Sequence, residues 1–354
     1  MRISALVAAL FLAWAPFATA QDWITPEYCD LTDTQIDFSS FPGLKKTSLE
    51  QSASLIPNAN GKLWRITHSS GATSHLWGTF HANDPNALRL PETAVQLIQN
   101  AQVVALEFDP VFPTRQSFKR SMDSGAYFSD MDSNGLFQTN RLREIIDPVQ
   151  MAHISDRLDA IGWGAETADY LRPSVLAEIL LNNPCNDFAE GSYPTQDSLI
   201  QLTGELSGAR ILGLEDPRAF RTKLEDPTNR ALTFNIIQLY AQALNPNFTA
   251  AQQRTFFALY QQGRIGLAMA LDKALTQQTF GDKRGETIQK SVDDYLLTER
   301  NMEFANAVQS EIEQGDVFVA IGAWHLPGTG GMIELLRKRG FHVSRVHLPD
   351  EVWD

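Results

Sequence analysis

Val317-Phe318-Val319-Ala320-Ile321 runs directly into Gly322-Ala323-Trp324-His325-Leu326-Pro327-Gly328. Five apolar residues without alternation fit a strand covered on both faces. Past the glycine-rich loop, residues 331–339 have helical character, Gly340 stops them, and residues 342–346 read as another strand. The order is strand, loop, helix, strand. The same order opens the patterned part of the chain. Residues 62–67 and 74–79 read as strands about a Ser69-Ser70-Gly71 turn. A helix over about 92–99 starts at Pro91 and leads to Val103-Val104-Ala105-Leu106, a second unbroken apolar run. Helices fill the space between the two units. They are predicted over 111–190, with breaks at Pro148, Gly162-Trp163-Gly164 and Pro173, and over 229–278, with a break at Pro246. A long helix follows over about 291–313 and ends at Gly315. One short apolar strand, 211–214, interrupts them. The pattern predicts an α/β fold whose central sheet is built from two related strand-loop-helix-strand halves. The domain spans 61–354, with a helical insertion over about 226–290.

Composition narrows the class. The chain has 354 residues, a net charge of −13 and 43% hydrophobic residues, too apolar for a disordered chain. Residues 1–20 combine Arg2, an apolar stretch and Ala18-Thr19-Ala20, the pattern of a signal peptide. The expected location is therefore periplasmic or secreted. Residues 21–60 are polar and turn-rich and read as an extension lying over the domain. No later segment holds 18 consecutive apolar residues, so no integral membrane segment is expected. The acidic balance argues against a nucleic-acid partner, because a phosphate backbone favours basic surfaces. Cys29 and Cys185 are the two cysteines, either bridged in an oxidising compartment or free.

The chemistry gathers at strand ends. The strand at 74–79 runs into Gly78-Thr79-Phe80-His81, and the one at Val317 into Gly322-Ala323-Trp324-His325. The strand at Val103 ends in Glu107 and Asp109, and the one at Ile211 in Glu215 and Asp216. Ligands of open α/β sheets bind outside the carboxyl ends of the strands. If these four strands are parallel neighbours, two histidines and several carboxylates meet on one rim. Glycine in each Gly-x-x-His turn is expected to allow a sharp bend, including positive φ. Two imidazoles and a carboxylate suit a divalent metal with positions open to water. The histidines must then lie within roughly 10 Å of each other. In the long helix Leu297, Ala305, Val308 and Ile312 form an apolar stripe, with Asn301 inside it and Arg300 at its edge. Either these two face the polar site, or they make local surface contacts.

Four segments together resemble the TraB/GumN family, which includes the Tiki proteases. They are Ser74-His75-Leu76-Trp77-Gly78-Thr79-Phe80-His81, Val104-Ala105-Leu106-Glu107, Glu299-Arg300-Asn301, and the stretch from Val319 to Gly328. The resemblance covers about 61–346. It implies an α/β fold with one Gly-x-x-His from each half, similar to the erythromycin esterases and ChaN-like haem binders. It implies metal-dependent peptide cleavage, with manganese or cobalt favoured and zinc admissible. By position His81, His325 and Glu107 form the metal set, and Arg300-Asn301 match the family's Arg-Asn pair. Asp197 is the nearest counterpart of an aspartate the family places before a helix. Thr195-Gln196-Asp197, Leu214-Glu215-Asp216-Pro217 and Pro173-Ser174 depart from the family pattern.

The first functional expectation is a metal-dependent, peptidase-like hydrolase acting on a peptide or small molecule. Glu215 or Asp197 would take a proton from water, and Arg300 or Asn301 would stabilise the oxyanion. The second is a metal-independent esterase-like hydrolase using His81 beside Glu107. The third is a non-catalytic protein that binds haem, a metal or a partner.

Overall fold

The computed structural model describes residues 29–32, 34–108, 127–184, 195–244 and 250–352. The leader, Asp109, Cys185 and the break at Pro246 lie outside these residues.

Six strands form one sheet: β1 (Leu63–Thr67), β2 (Thr73–Thr79), β3 (Val103–Leu106), β4 (Arg210–Gly213), β5 (Val317–Gly322) and β6 (His342–Val346). Their order is β4-β3-β5-β2-β1-β6. The neighbours β4/β3, β3/β5 and β5/β2 are parallel, whereas β1 runs antiparallel to both β2 and β6. The condition for a common rim is therefore met. The four strands expected to carry chemistry are parallel neighbours.

The two strand-loop-helix-strand units are alike in order and unequal in span. β2 and β5 pair at the centre, but the first unit crosses β5 to reach β3 and the second crosses β2 and β1 to reach β6. Their relation as two halves of one repeat stays an expectation.

The strands are apolar without alternation because helices cover both faces. On one face Val103, Ala105, Val317, Val319 and Ile321 pack against α11 (Arg300–Gln314) and α12 (Met332–Lys338). On the other, Val104, Leu106, Phe318 and Ala320 meet α2 (Glu92–Gln99) and α5 (Gln196–Leu206). All four residues of β3 are buried. α3 (Pro148–Ala160) and α4 (Pro173–Leu181) start with proline at the first turn, so the breaks read from Pro148 and Pro173 are helix starts.

The helices between the sheet units share a core of their own. It joins α3 and α4 to α6 (Pro217–Glu225), α7 (Arg230–Ala241) and α10 (Asp282–Asp293). The N-terminal extension is packed in: Phe41 and residues of α1 (Lys46–Ser54) bury against α8 (Ala250–Gln261) and α9 (Ile265–Phe280). Further up, Leu31 packs with Ala82 and Ala323 beside the two Gly-x-x-His turns. Cys29 is disulfide-bonded, and the chain has one other cysteine, Cys185. Among the described residues no helix is long and apolar enough to cross a membrane.

The long helix expected over 291–313 is not uniform. A π-helical turn, Asp294–Glu299, joins α10 to α11. Its wider turn shifts the helical phase. Tyr295 and Leu296 are buried, whereas Leu297 is only partly covered. π turns inside α-helices occur frequently at functional sites, and this one leads directly into Arg300.

Candidate active site

Each parallel strand delivers one residue to the rim. β3 ends in Glu107 and β4 in Glu215, and the backbone N–H of Glu215 donates to the carbonyl of Glu107 at 3.0 Å. Arg300 bridges the two carboxylates. Its Nη2 donates to Oε2 of Glu107 at 2.8 Å and its Nε to Oε2 of Glu215 at 2.7 Å. The guanidinium is buried among Phe108, Phe220 and Phe304, whose ring centroids lie 5.6, 5.4 and 5.0 Å away. Burial opposes ionisation of Glu107, yet Arg300, both histidines and the Gly322 N–H hold its carboxyl well below the usual range. Burial dominates at Glu215, where Arg300 only partly offsets an upward shift.

The two histidines are pinned in complementary tautomers. Asn301 donates from Nδ2 to the carbonyls of His325 and Gly330, at 3.3 and 3.0 Å. Its Oδ1 must then accept the contact with His325 Nδ1, at 2.7 Å. The lone pair of His325 is left on Nε2, 3.8 Å from Oε1 of Glu107. Burial pushes the His325 imidazole down to about 3 against the pull of Glu107, so it is neutral at neutral pH.

At His81, Thr79 Oγ1 donates its proton to Oδ1 of Asp197 at 3.1 Å. It therefore accepts from His81 Nε2, also at 3.1 Å, and Nε2 lies 3.4 Å from the other oxygen of Asp197. In the neutral ring the lone pair sits on Nδ1. The ring is 52% exposed, whereas that of His325 is 6% exposed. Desolvation opposes protonation of His81, but the charge and hydrogen bond of Asp197, with Glu107 behind, raise its pKa.

The glycines have a different reason from the one expected. Neither Gly78 nor Gly322 has positive φ. Both permit close approach. A methyl group on Gly78 would lie 2.7 Å from Leu326 Cδ1 and 2.9 Å from Ala323 Cα, so the two Gly-x-x-His turns interlock. A methyl group on Gly322 would lie 3.2 Å from Glu107 Oε1, and 3.5 Å from both His325 Cδ2 and His81 Cε1. The two ring carbons are thus within twice 3.5 Å of each other, inside the limit for sharing an ion.

The predicted residues divide by role. His81, His325 and Glu107 surround one point. Asp197, in the first turn of α5, contacts His81 and Thr79. Glu215 is 4% exposed at its side chain and ion-paired with Arg300. Arg300 is hydrogen-bonded to Glu107 and Glu215, and Asn301 to His325 and the Gly330 carbonyl.

Two positioning residues carry no motif. Gln196 Oε1 accepts from Phe80 N–H at 3.2 Å, Trp77 Nε1 at 3.3 Å and Tyr260 Oη at 3.0 Å. Tyr260 also contacts the Gly78 carbonyl at 2.9 Å. Together they fasten the first turn to α5 and α8.

The donor set tests the metal expectation. Among the described residues no three His, Cys, Asp or Glu side chains form a ready metal cage. Two acceptors nevertheless face each other, His325 Nε2 and Glu107 Oε1, and the first has its other nitrogen held by Asn301, the usual support of a metal-bound histidine. His81 borders the same point through Cε1, the carbon between its two nitrogens. Two of the three expected ligands thus present a donor atom to this point, and His81 presents a ring carbon.

No curated protein and no solved structure matches the chain. The family model TraB/PrgY/gumN matches residues 62–345, from the start of β1 to within β6. The match spans every strand and both Gly-x-x-His turns, and the chain belongs to the TraB/PrgY/gumN family.

Proposed function

We propose that the chain is an exported hydrolase, peptidase-like in substrate, using a divalent metal held by His81, His325 and Glu107. The observation that carries this is the facing of two lone-pair donors, His325 Nε2 and Glu107 Oε1, at 3.8 Å. Oε1 also accepts from the Gly322 N–H at 2.7 Å, which leaves it a further lone pair for a cation. The ion, when bound, would lower the pKa of its water and polarise a carbonyl. Asn301 fixes His325 in the ligating tautomer. Arg300 keeps Glu107 ionised, and Asp197 orients His81. The disulfide at Cys29 supports export, since such bonds persist in oxidising compartments.

The His81–Asp197 pairing favours a second reading. His81, with Nδ1 unprotonated, would itself take a proton from water, and no metal would be needed.

The test is hydrolysis of a peptide library by protein stripped of metal, then supplied with manganese, cobalt or zinc. Metal binding by calorimetry and recovery of cleavage are expected, both lost in His325→Ala. Full activity in strong chelator would select the second reading. No cleavage under any condition would overturn both and leave a binding protein.

A further inference from the structure

Two short segments, far apart in sequence, grip the first Gly-x-x-His turn. The first is residues 29–31. Leu31 is buried and belongs to the cluster that joins Ala82, next to His81, to Ala323 of the second turn. Its N–H donates to Oδ2 of Asp84 at 3.1 Å. The other oxygen of Asp84 accepts from the Asn86 N–H at 2.7 Å and caps the short helix Pro85–Leu88. Arg254 of α8 donates from Nε to the Asp30 carbonyl at 3.3 Å. The second segment holds Asn183, whose Nδ2 donates to the His81 carbonyl at 3.4 Å.

The cysteines stand at matching places. Cys29 lies two residues before Leu31, is half-buried and is disulfide-bonded. Cys185 lies two residues past Asn183 and is the one other cysteine of the chain, hence the partner of that bond. One covalent link therefore ties together the two segments that grip residues 81–84. A buried leucine and hydrogen bonds of 3.1 and 3.3 Å are modest anchorage for residues 29–31, and loosely anchored segments fray unless tied down.

We infer that this disulfide is a redox-operated clasp on the His81 turn, closed in the oxidised chain and opened by a dithiol. A thiolate of the dithiol attacks one sulfur of the bond, and the other sulfur leaves as a thiolate. The second thiol of the reductant then displaces the first protein sulfur. Two cysteine thiols and one cyclic disulfide result, so two electrons and two protons pass to the protein. On opening, Leu31 leaves its cluster, Asp84 loses the Leu31 N–H, and residues 80–88 loosen. The sheet stays folded, because the clusters on its two faces do not include Leu31. That the clasp switches catalysis rests on the hydrolase reading, since His81 is a proposed ligand, whereas the loosening does not.

The experiment is amide hydrogen exchange of the whole chain before and after treatment with dithiothreitol. The amides of Phe80, Ala82, Asn86 and Leu88, all hydrogen-bonded in the closed form, report on the turn. Their exchange is expected to quicken at least about tenfold, as release of one buried leucine implies. Amides of β3 and β5 are expected to keep their protection, and reoxidation to restore the turn. The double variant Cys29→Ser/Cys185→Ser is expected to exchange like the reduced chain whether or not dithiothreitol is present. Leu31→Ala, with the bond intact, is expected to quicken the same amides and serves if the cysteine variant does not fold. Unchanged exchange at the turn, an equal rise in β3 and β5, or a bond that yields to the dithiol only on unfolding would each overturn the inference. Because exchange is read without substrate or metal, its failure is distinguishable from a failure of the hydrolysis assay.

Discussion

Asn301 Oδ1 accepts a hydrogen bond from His325 Nδ1 at 2.7 Å, while the same amide donates to two backbone carbonyls. One side chain thereby fixes both the tautomer of the histidine and the turn that carries it. Asn301→Ala is expected to lower metal affinity and activity by about 10–100-fold, the usual effect of removing a histidine's outer partner. It also strands two carbonyls and an imidazole N–H, at a cost of about 1–3 kcal/mol per buried group. Metal titration beside thermal unfolding checks this. Unchanged affinity in a folded variant would deny Asn301 its role.

Arg300 neutralises one of two buried carboxylates and hydrogen-bonds both. Arg300→Met should cost about 3–5 kcal/mol, since removing one partner leaves buried charge uncompensated. Adding Glu215→Gln should recover part of that loss, because Glu215 is already shifted towards its neutral form. Arg300→Lys keeps the charge but loses the fork that reaches two acceptors, so it should fall between wild type and Arg300→Met. Denaturant unfolding of the three variants gives the order. Equal stability of Arg300→Met and the double variant would show that Glu215 contributes nothing to the cost.

The rim was legible from the sequence because it depends on strand ends. Unbroken apolar runs such as Val103-Val104-Ala105-Leu106 mark strands covered on both faces, and polar residues at their carboxyl ends mark the rim. Less visible was what each residue does there. The sequence makes Gly78 and Gly322 bends, but Gly78 is needed for close packing against the second turn and Gly322 brings the chain close to Glu107, which only the folded neighbours reveal. The π turn at Asp294–Glu299 shifts the apolar phase by less than a periodicity reading resolves, so the buried stripe begins at Tyr295 and Leu296. Gln196 and Tyr260 act across long stretches of chain on single polar contacts, which leave no periodic trace.

His81 and Asp197 give a pH signature. The folded-state pKa of His81 is raised above 6.5 by Asp197. Stability from this pair is complete below the unfolded value near 6.5 and is lost as pH rises through the raised folded value. Asp197→Asn keeps a hydrogen-bond acceptor and removes the charge. The His81 titration in metal-free protein should therefore move to lower pH, and so should any rising activity limb that needs neutral His81. The melting-temperature gap between wild type and variant should shrink in alkaline solution. A histidine titration by NMR decides it, and an unmoved curve would exclude Asp197 as the cause.

Gly322 offers the sharpest separation of site from scaffold. Its φ of −49° is open to any residue, so alanine adds no backbone strain. The added methyl would sit 3.2 Å from Glu107 Oε1 and 3.5 Å from each imidazole. That is the point the three proposed ligands surround. Only the Glu107 contact is tighter than ordinary packing, so that carboxylate must give by a few tenths of an ångström, and overpacking of this order costs about 1–3 kcal/mol. Gly322→Ala is therefore expected to fold, with a modest fall in melting temperature, and to lose metal binding and hydrolysis together. Calorimetric metal titration of the folded variant measures this directly. Wild-type metal affinity in Gly322→Ala would mean that the ion, if bound, sits away from the point these three residues share.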